Sequence, residues 1–331
     1  MIQFDELDDA SKKLFGVLDE KYTITFQKLP RQTDKVQLGQ AGKCRFCGES
    51  EPEVSFSHIS HAIPESIGNK SLIGLDECDS CNTFFSENVE VHYDKVVHAY
   101  RQIAKIKGKK KIPSHKDGNF RIDVNESFEM LVPEGSDSVK IDEEKKVITI
   151  NYKIGKYVPV AVYKTLVKMA LSVMPTQYLQ FFTKAIEWIR NEDHSSALCA
   201  LPPVIETFIP GPCPNVGLSI HQYLSKKIGD SDNCAHCLFQ VCFGNIVHQV
   251  VVPSDYEISN GFSKLKIYRC PTPFDFTPSP YGDPICKNIE YSESEAVAGR
   301  VLPINFSYES KTDLDAEDIK AKIKKLNHPS S

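Results

Sequence analysis

No run of eighteen apolar residues occurs anywhere in the 331-residue sequence, so no membrane span is expected. The opening segment MIQFDELDDASKKLF carries acids early and has no apolar centre, which argues against a secretory signal. Positive charge is not in excess either. The net charge of −5 excludes a chain that coats nucleic acid over its whole surface, although not one that binds through a local basic patch. No segment repeats at a fixed period. A phosphate-binding glycine loop, a Ser-His-Asp set and a dinucleotide fingerprint are all lacking. Tryptophan occurs once, as Trp188 in FFTKAIEWIRN, where core packing is the expected role rather than base stacking. What is present is an ordinary globular composition, 41% hydrophobic and 25% charged, with a length that suggests two domains. The expected compartment is the reducing cytoplasm. There, eleven cysteines read as metal ligands or buried thiols, not as a disulfide framework.

The local patterns predict an α+β fold. DELDDASKKLFGVLDEK (residues 5–21) has helical apolar spacing, and YTITFQKL (22–29) alternates like a strand. From Cys78 to Ile106 there is no glycine or proline, and Phe85, Val89, Val96 and Ile103 fall near one stripe, so a single long helix is expected. FRIDV, FEMLV and the charged hairpin SVKIDEEKKVITINYKI read as strands. PVAVYKTLVKMALSVM and TQYLQFFTKAIEWIRN read as two helices parted at Pro175. Beyond residue 197 the chain is strand-rich, with CLFQVCFGNIVHQVVVP and KLKIYRC the strongest runs, and the last residues read as a polar helix. The expected division is an accessory helix and strand (1–39), a cysteine-rich module with its long helix and basic linker (40–117), a mixed α+β domain rich in antiparallel strands (118–310) and a polar tail (311–331).

Two Cys-x-x-Cys pairs, Cys44/Cys47 and Cys78/Cys81, stand thirty residues apart. Four thiolates on two tight knuckles suit the closed tetrahedral site of a structural zinc ion, one per chain; the plainer reading is four buried thiols. A purely structural knuckle has no need of histidines between its halves, yet FSHISHAIPESIGN supplies His58 and His61 on a short strand ended by Pro64. Three positions apart, they point to opposite faces of a straight strand. Asn82, directly after the last cysteine at the start of the long helix, projects toward the face that one of them shares. His92 and His98, farther along that helix, read as solvated. The basic run RQIAKIKGKKKIPSHK, with Arg101, Lys105, Lys107, Lys109, Lys110, Lys111 and Lys116, reads either as a solvated linker or as a grip on nucleic-acid phosphates.

At CRFCG … SHAIPESIGN … ECDSCNTFF the sequence resembles the zinc-stapled branch of the HNH endonuclease family, over about residues 40–95. The resemblance implies a ββα-metal finger that hydrolyses DNA phosphodiester bonds. It further implies His61 as the general base, Asn69 as the residue that pins the loop, Asn82 and His58 as candidate ligands of a catalytic Mg²⁺ or Mn²⁺ ion, and the four cysteines as the zinc site. The chemistry is coherent on its own terms. A neutral imidazole, with a pKa of about 6.5, can take a proton from water near neutral pH, and a hard divalent ion prefers oxygen donors. Lys105, Lys107, Lys109, Lys110 and Lys111 would then hold the DNA backbone. Two departures stand out. Ser60 occupies the position before the base, where the family often has an acidic or histidine ligand, and Asn69 lies closer to the base than the family's central asparagine usually does. Glu90, eight positions past Asn82, is about 12 Å along a helix and reads as a supporting acid, not a second direct ligand.

By family analogy, residues 118–310 would choose or license the cut, as in restriction or antiphage nucleases, through an activating ligand or a partner protein, and a homodimer would serve double-strand cutting. Cys234, His236, Cys237, Cys242 and His248 suggest a second metal site, but only one Cys-x-x-Cys is present there and the flanking runs are apolar, so core thiols are favoured. The competing function class is a non-catalytic zinc-stabilised module that binds DNA or protein, favoured by Ser60.

Overall fold

The computed structural model describes residues 9–108, 111–118, 120–124, 128–132, 136–196, 198–212, 215–227, 233–262, 265–272, 275 and 279–310. Helix α1 (Asp9–Lys21) runs directly into strand β1 (Tyr22–Lys28). Strands β2 (Val36–Leu38), β3 (Ser60–His61) and β4 (Leu72–Gly74) form a small sheet in the order β2-β4-β3. Helix α2 (Asp79–Phe85) continues through a π-turn (Ser86–Glu90) into α3 (Val91–Ile103), the expected long helix with one irregularity. Strands β5 (His115–Asp117), β6 (Phe120–Val124) and β7 (Phe128–Leu131) make a second sheet, and β8 (Val139–Asp142) and β9 (Val147–Lys153) form the charged hairpin. Helices α4 (Pro159–Val173) and α5 (Thr183–Ile189) follow, then β10 (Val204–Phe208), β11 (Asn215–Ser225), β12 (Cys237–Gly244), β13 (Ile246–Val251), α6 (Asp255–Asn260), β14 (Ile285–Ile289) and β15 (Val301–Ser307), the last pairing with β9. Helices and antiparallel sheets together make the fold α+β. Among the described residues no helix is long and apolar enough to cross a membrane.

The main sheet has six strands in the order β1-β11-β12-β13-β10-β14, so the N-terminal strand is an edge of the C-terminal sheet. Helix α4 holds the architecture together. Pro159 starts it, Pro175 follows its end, and all fifteen of its residues are buried. A helix apolar nearly all round must be covered on every side. The cover comes from α3, from β12 and β13, and from the cysteine module, and one continuous core includes Cys44, Phe85, Val96, Leu166, Phe239 and Val250. The end of α3 is seated on the β12–β13 turn, where Gly244 sits at φ +53 and an added Cβ would lie 2.5 Å from that of Ala104. Only glycine permits that approach.

Three expectations need correction. TQYLQFFTKAIEWIRN is not one helix: a 3-10 turn (Thr176–Phe181) breaks at Phe182, and α5 starts afresh. Asp255, from α6, accepts hydrogen bonds from the Thr183 and Lys184 backbone N–H groups (3.3 and 2.9 Å) and caps the new helix from outside. In KLKIYRC the described residues, 265–270, form no strand beyond a bridge at Lys266. Glutamines buried in the main sheet take its backbone groups instead: Gln249 accepts from Cys270 N–H (2.6 Å) and donates to Tyr268 C=O (2.7 Å). His92 and His98 are half-buried rather than solvated, and burial pushes both down to about 4. His92 Nδ1 accepts from Val158 N–H just ahead of α4. Trp188 is buried and donates to Ser196 C=O. The polar tail expected at 311–331, along with Lys109 and Lys110, lies outside the described residues.

Candidate active site

The ligand atoms of Cys44, Cys47, Cys78 and Cys81 all lie within 4.8 Å of one another, the sole group of this kind among the described residues. The first knuckle turns at Gly48 (φ +77), whose N–H donates to Cys44 C=O. The second is the start of α2, with Cys78 at the N-cap and Cys81 in the first turn. Packed this closely, the thiols titrate unlike one another. A hydrogen bond from Cys81 pulls Cys44 down to about 4, burial pushes Cys78 up to about 11, and Cys81 is driven higher still by its bond to Cys44. Four sulfurs in one closed cluster fit zinc by number, type and spacing. Within the first knuckle, Arg45 makes paired hydrogen bonds to Asp76 (2.8 and 2.7 Å) and donates to Leu171 and Met174 carbonyls, tying the module to the end of α4.

Strand β3 pairs antiparallel with β4, His61 opposite Ile73, and α2 follows, giving a ββα order. After Pro64 the chain makes one 3-10 turn (Glu65–Ile67) and reverses at Gly68. Asn69 is fully buried at that reversal. Its side chain donates to Ile63 and Leu72 carbonyls (2.8 and 2.9 Å) and accepts from Ser71 and Leu72 N–H groups (3.1 and 2.9 Å). All its hydrogen-bonding capacity thus goes to the loop that carries His61 into β4.

His61 and Asn82 line one cleft of about 400 Å³, together with Ile59, Glu65, Ser86, Glu90, Asp94 and Arg101. His61 Nε2 lies 3.8 Å from Glu65 Oε2, and Lys70 reaches the other Glu65 oxygen at 2.5 Å. His58 stands apart from this lining: its ring is exposed, with Nδ1 3.2 Å from Asp79. Burial opposes the ionised form of Asp79, but hydrogen bonds from Ser55, His58 and Ser57 together hold its carboxyl well below the usual range. Ser60 is buried beside Glu77. Of the linker lysines, Lys105, Lys107 and Lys111 are exposed.

Residues 44–96 match the HNH endonuclease family. The match covers the cysteine cluster, β3, β4, α2 and the first part of α3, and it supports a nuclease-type function on a nucleic-acid substrate. The region C-terminal to this HNH segment has no family match. No curated protein and no solved structure matches the chain.

Two features of the cleft escape a reading of the HNH segment alone. Asn82, Ser86, Glu90 and Asp94 recur every fourth position. On a regular α-helix that spacing drifts by about 40° per step. The wider π-turn at 86–90 turns the drift back, so all four side chains face the cleft. The spacing was visible in the sequence; the π-turn was not. The second feature is Lys168 of α4, buried between Glu77 (3.1 Å) and Glu90 (3.2 Å) and 3.4 Å from His61 C=O. A residue outside the family match therefore supports the wall of the cleft. Removing one member of a buried ion cluster strands the remaining charges, so Lys168→Met is expected to destabilise the protein by about 3–5 kcal/mol in urea denaturation. Lys168→Met combined with Glu77→Gln should recover part of that loss. Equal stability of wild type and Lys168→Met would remove the cluster from this role.

Proposed function

We propose that this protein is a divalent-metal-dependent HNH endonuclease that hydrolyses DNA phosphodiester bonds. Residues 118–310 then govern target choice or activation, in restriction or antiphage defence, through a ligand or a partner protein, and a homodimer provides double-strand cuts. The observation that carries the reading is the placement of His61 and Asn82 on one cleft beside the four-cysteine cluster. In this reading the cysteines hold a structural zinc ion and Asn69 pins the loop. The Asn82 amide oxygen is a hard donor that suits Mg²⁺ or Mn²⁺, while Glu90, paired with Lys168, supports the wall of the cleft. When bound, such an ion offsets charge on the scissile phosphate and assists the leaving oxygen. His61 takes the proton of the attacking water, and Glu65, 3.8 Å away, favours the imidazolium that forms. His58, whose Nδ1 lies 3.2 Å from Asp79, stands outside the cleft lining and is assigned no step in this reading.

Supercoiled plasmid should be nicked with Mg²⁺ or Mn²⁺ and left intact with EDTA. Binding without nicking under every divalent ion tried would favour the second reading, a non-catalytic module. One observation speaks for that reading: Ser60 is buried beside Glu77 and so brings no ligand to the cleft.

The exposed lysines of the linker are assigned to the DNA backbone. Each phosphate that a lysine neutralises steepens the dependence of log affinity on log salt by about one unit. Replacing Lys109, Lys110 and Lys111 with Gln should reduce the slope by about three on two unrelated duplexes and leave the preference between them unchanged. An unchanged slope would make the segment an ordinary solvated linker.

A further inference from the structure

Arg101 differs from the other basic residues near it. Lys105, Lys107 and Lys111 are exposed, whereas the Arg101 side chain is 9% exposed and lines the cleft. Its Nε is buried without a partner among the described residues. The one acid paired with it among the described residues is Asp94, at 3.7 Å, too long for a hydrogen bond, and the same Asp94 oxygen accepts from Ser66 at 2.5 Å. The other cleft carboxylates have closer cations, Glu65 with Lys70 and Glu90 with Lys168. A buried guanidinium with idle donors carries a desolvation cost that an anionic ligand would offset. Its planar fork matches two oxygens of a phosphate.

The backbone beneath Arg101 is fixed. Gln102 donates to Pro113 and Ile122 carbonyls (both 3.0 Å), and Ile106 N–H closes the helix end on Arg101 C=O. We propose that Arg101 is a binding residue for the nucleic-acid backbone, taking a phosphodiester other than the one at which His61 acts. This rests on the nuclease reading above. Nineteen residues separate Asn82 from Arg101, at most roughly 28 Å along a continuous helix. On this reading the two ends of the cleft take different phosphates. Arg101 therefore sets the path of the strand through the cleft and takes no part in bond cleavage.

The test measures duplex binding by the full-length protein without added divalent ion, against salt, for Arg101→Met, Arg101→Lys and Asp94→Asn, with zinc content and melting as folding controls. Arg101→Met should bind about tenfold more weakly and with a slope less steep by about one. Arg101→Lys should keep the slope but lose affinity, because the charge remains and the fork does not. Asp94→Asn removes the competing anion and should bind roughly two- to fivefold more tightly. Where Arg101→Met fails to fold, the other two variants decide, and wild-type affinity in both would overturn the assignment. Wild-type protein that binds but is indifferent to all three changes loses this inference and keeps the nuclease reading. Wild-type protein that binds no nucleic acid loses both.

Discussion

His61→Ala is expected to abolish plasmid nicking, with a loss of about 10²–10⁴ in rate, while zinc content and thermal melting stay at wild-type values. The two halves of that expectation come from different parts of the structure. The loss follows from chemistry: His61 is the one imidazole lining the described cleft, and it faces Glu65. The preserved fold follows from packing. The His61 side chain is 26% exposed, its strand is held by backbone pairing with β4, and the loop beyond it is fixed by Asn69. Truncation at such a position leaves no large buried cavity. A merely structural histidine would show the reverse, a lowered melting temperature with activity kept in whatever remains folded. Full nicking by His61→Ala at wild-type rates would dismiss the general-base role. A parallel loss of zinc would move His61 from the chemistry to the support of the knuckles.

What the sequence made legible divides along the range of the interactions. The cysteine knuckles, Pro64 and Gly68 are short-range devices whose spacing alone specifies them, and they are where the family match falls. The long helix was legible because nothing between Cys78 and Ile106 interrupts it and its apolar stripe is regular. Where distant residues decide, local pattern failed. KLKIYRC alternates like a strand, but Gln240 and Gln249 of the main sheet claim its backbone groups. The helix expected at 176–191 breaks because Asp255, more than seventy positions away, caps it at Thr183. Lys168 is the same case at the cleft. On sequence it is one lysine in an apolar helix; only the fold places it between Glu77 and Glu90. The missing acid at position 60 thus coincides with a buried acid–lysine–acid cluster behind the cleft wall, to which no single segment of sequence points.

If the four cysteines hold zinc as proposed, its removal should have the largest effect of any change to this molecule. A four-sulfur site contributes on the order of 10 kcal/mol or more to folding, comparable with the whole stability of a typical domain. Here the loss would not stay local. Cys44, Cys78 and Cys81 belong to the same continuous core as α4 and the main sheet, and Arg45, between the first two ligands, is bonded to the carbonyls at the end of α4. Releasing the knuckles would free β3, the Asn69 loop and the start of α2 together, and would expose one face of a helix that is buried on every side. Cys78→Ser is therefore expected to prevent stable folding of the full chain, and not only of residues 44–96. Elemental analysis of purified wild type should give one zinc per chain. Strong chelation should produce a cooperative unfolding transition, in which nuclease activity and the near-ultraviolet signal of Trp188 disappear together. Trp188 lies on α5, outside the family match, so its signal reports whether the effect crosses into the rest of the protein. A zinc-free wild type together with a normally folded Cys78→Ser would refute the site. Loss of activity that excess Mg²⁺ does not restore, with the Trp188 signal unchanged, would show instead that the cysteine module unfolds independently of the core it shares with α4.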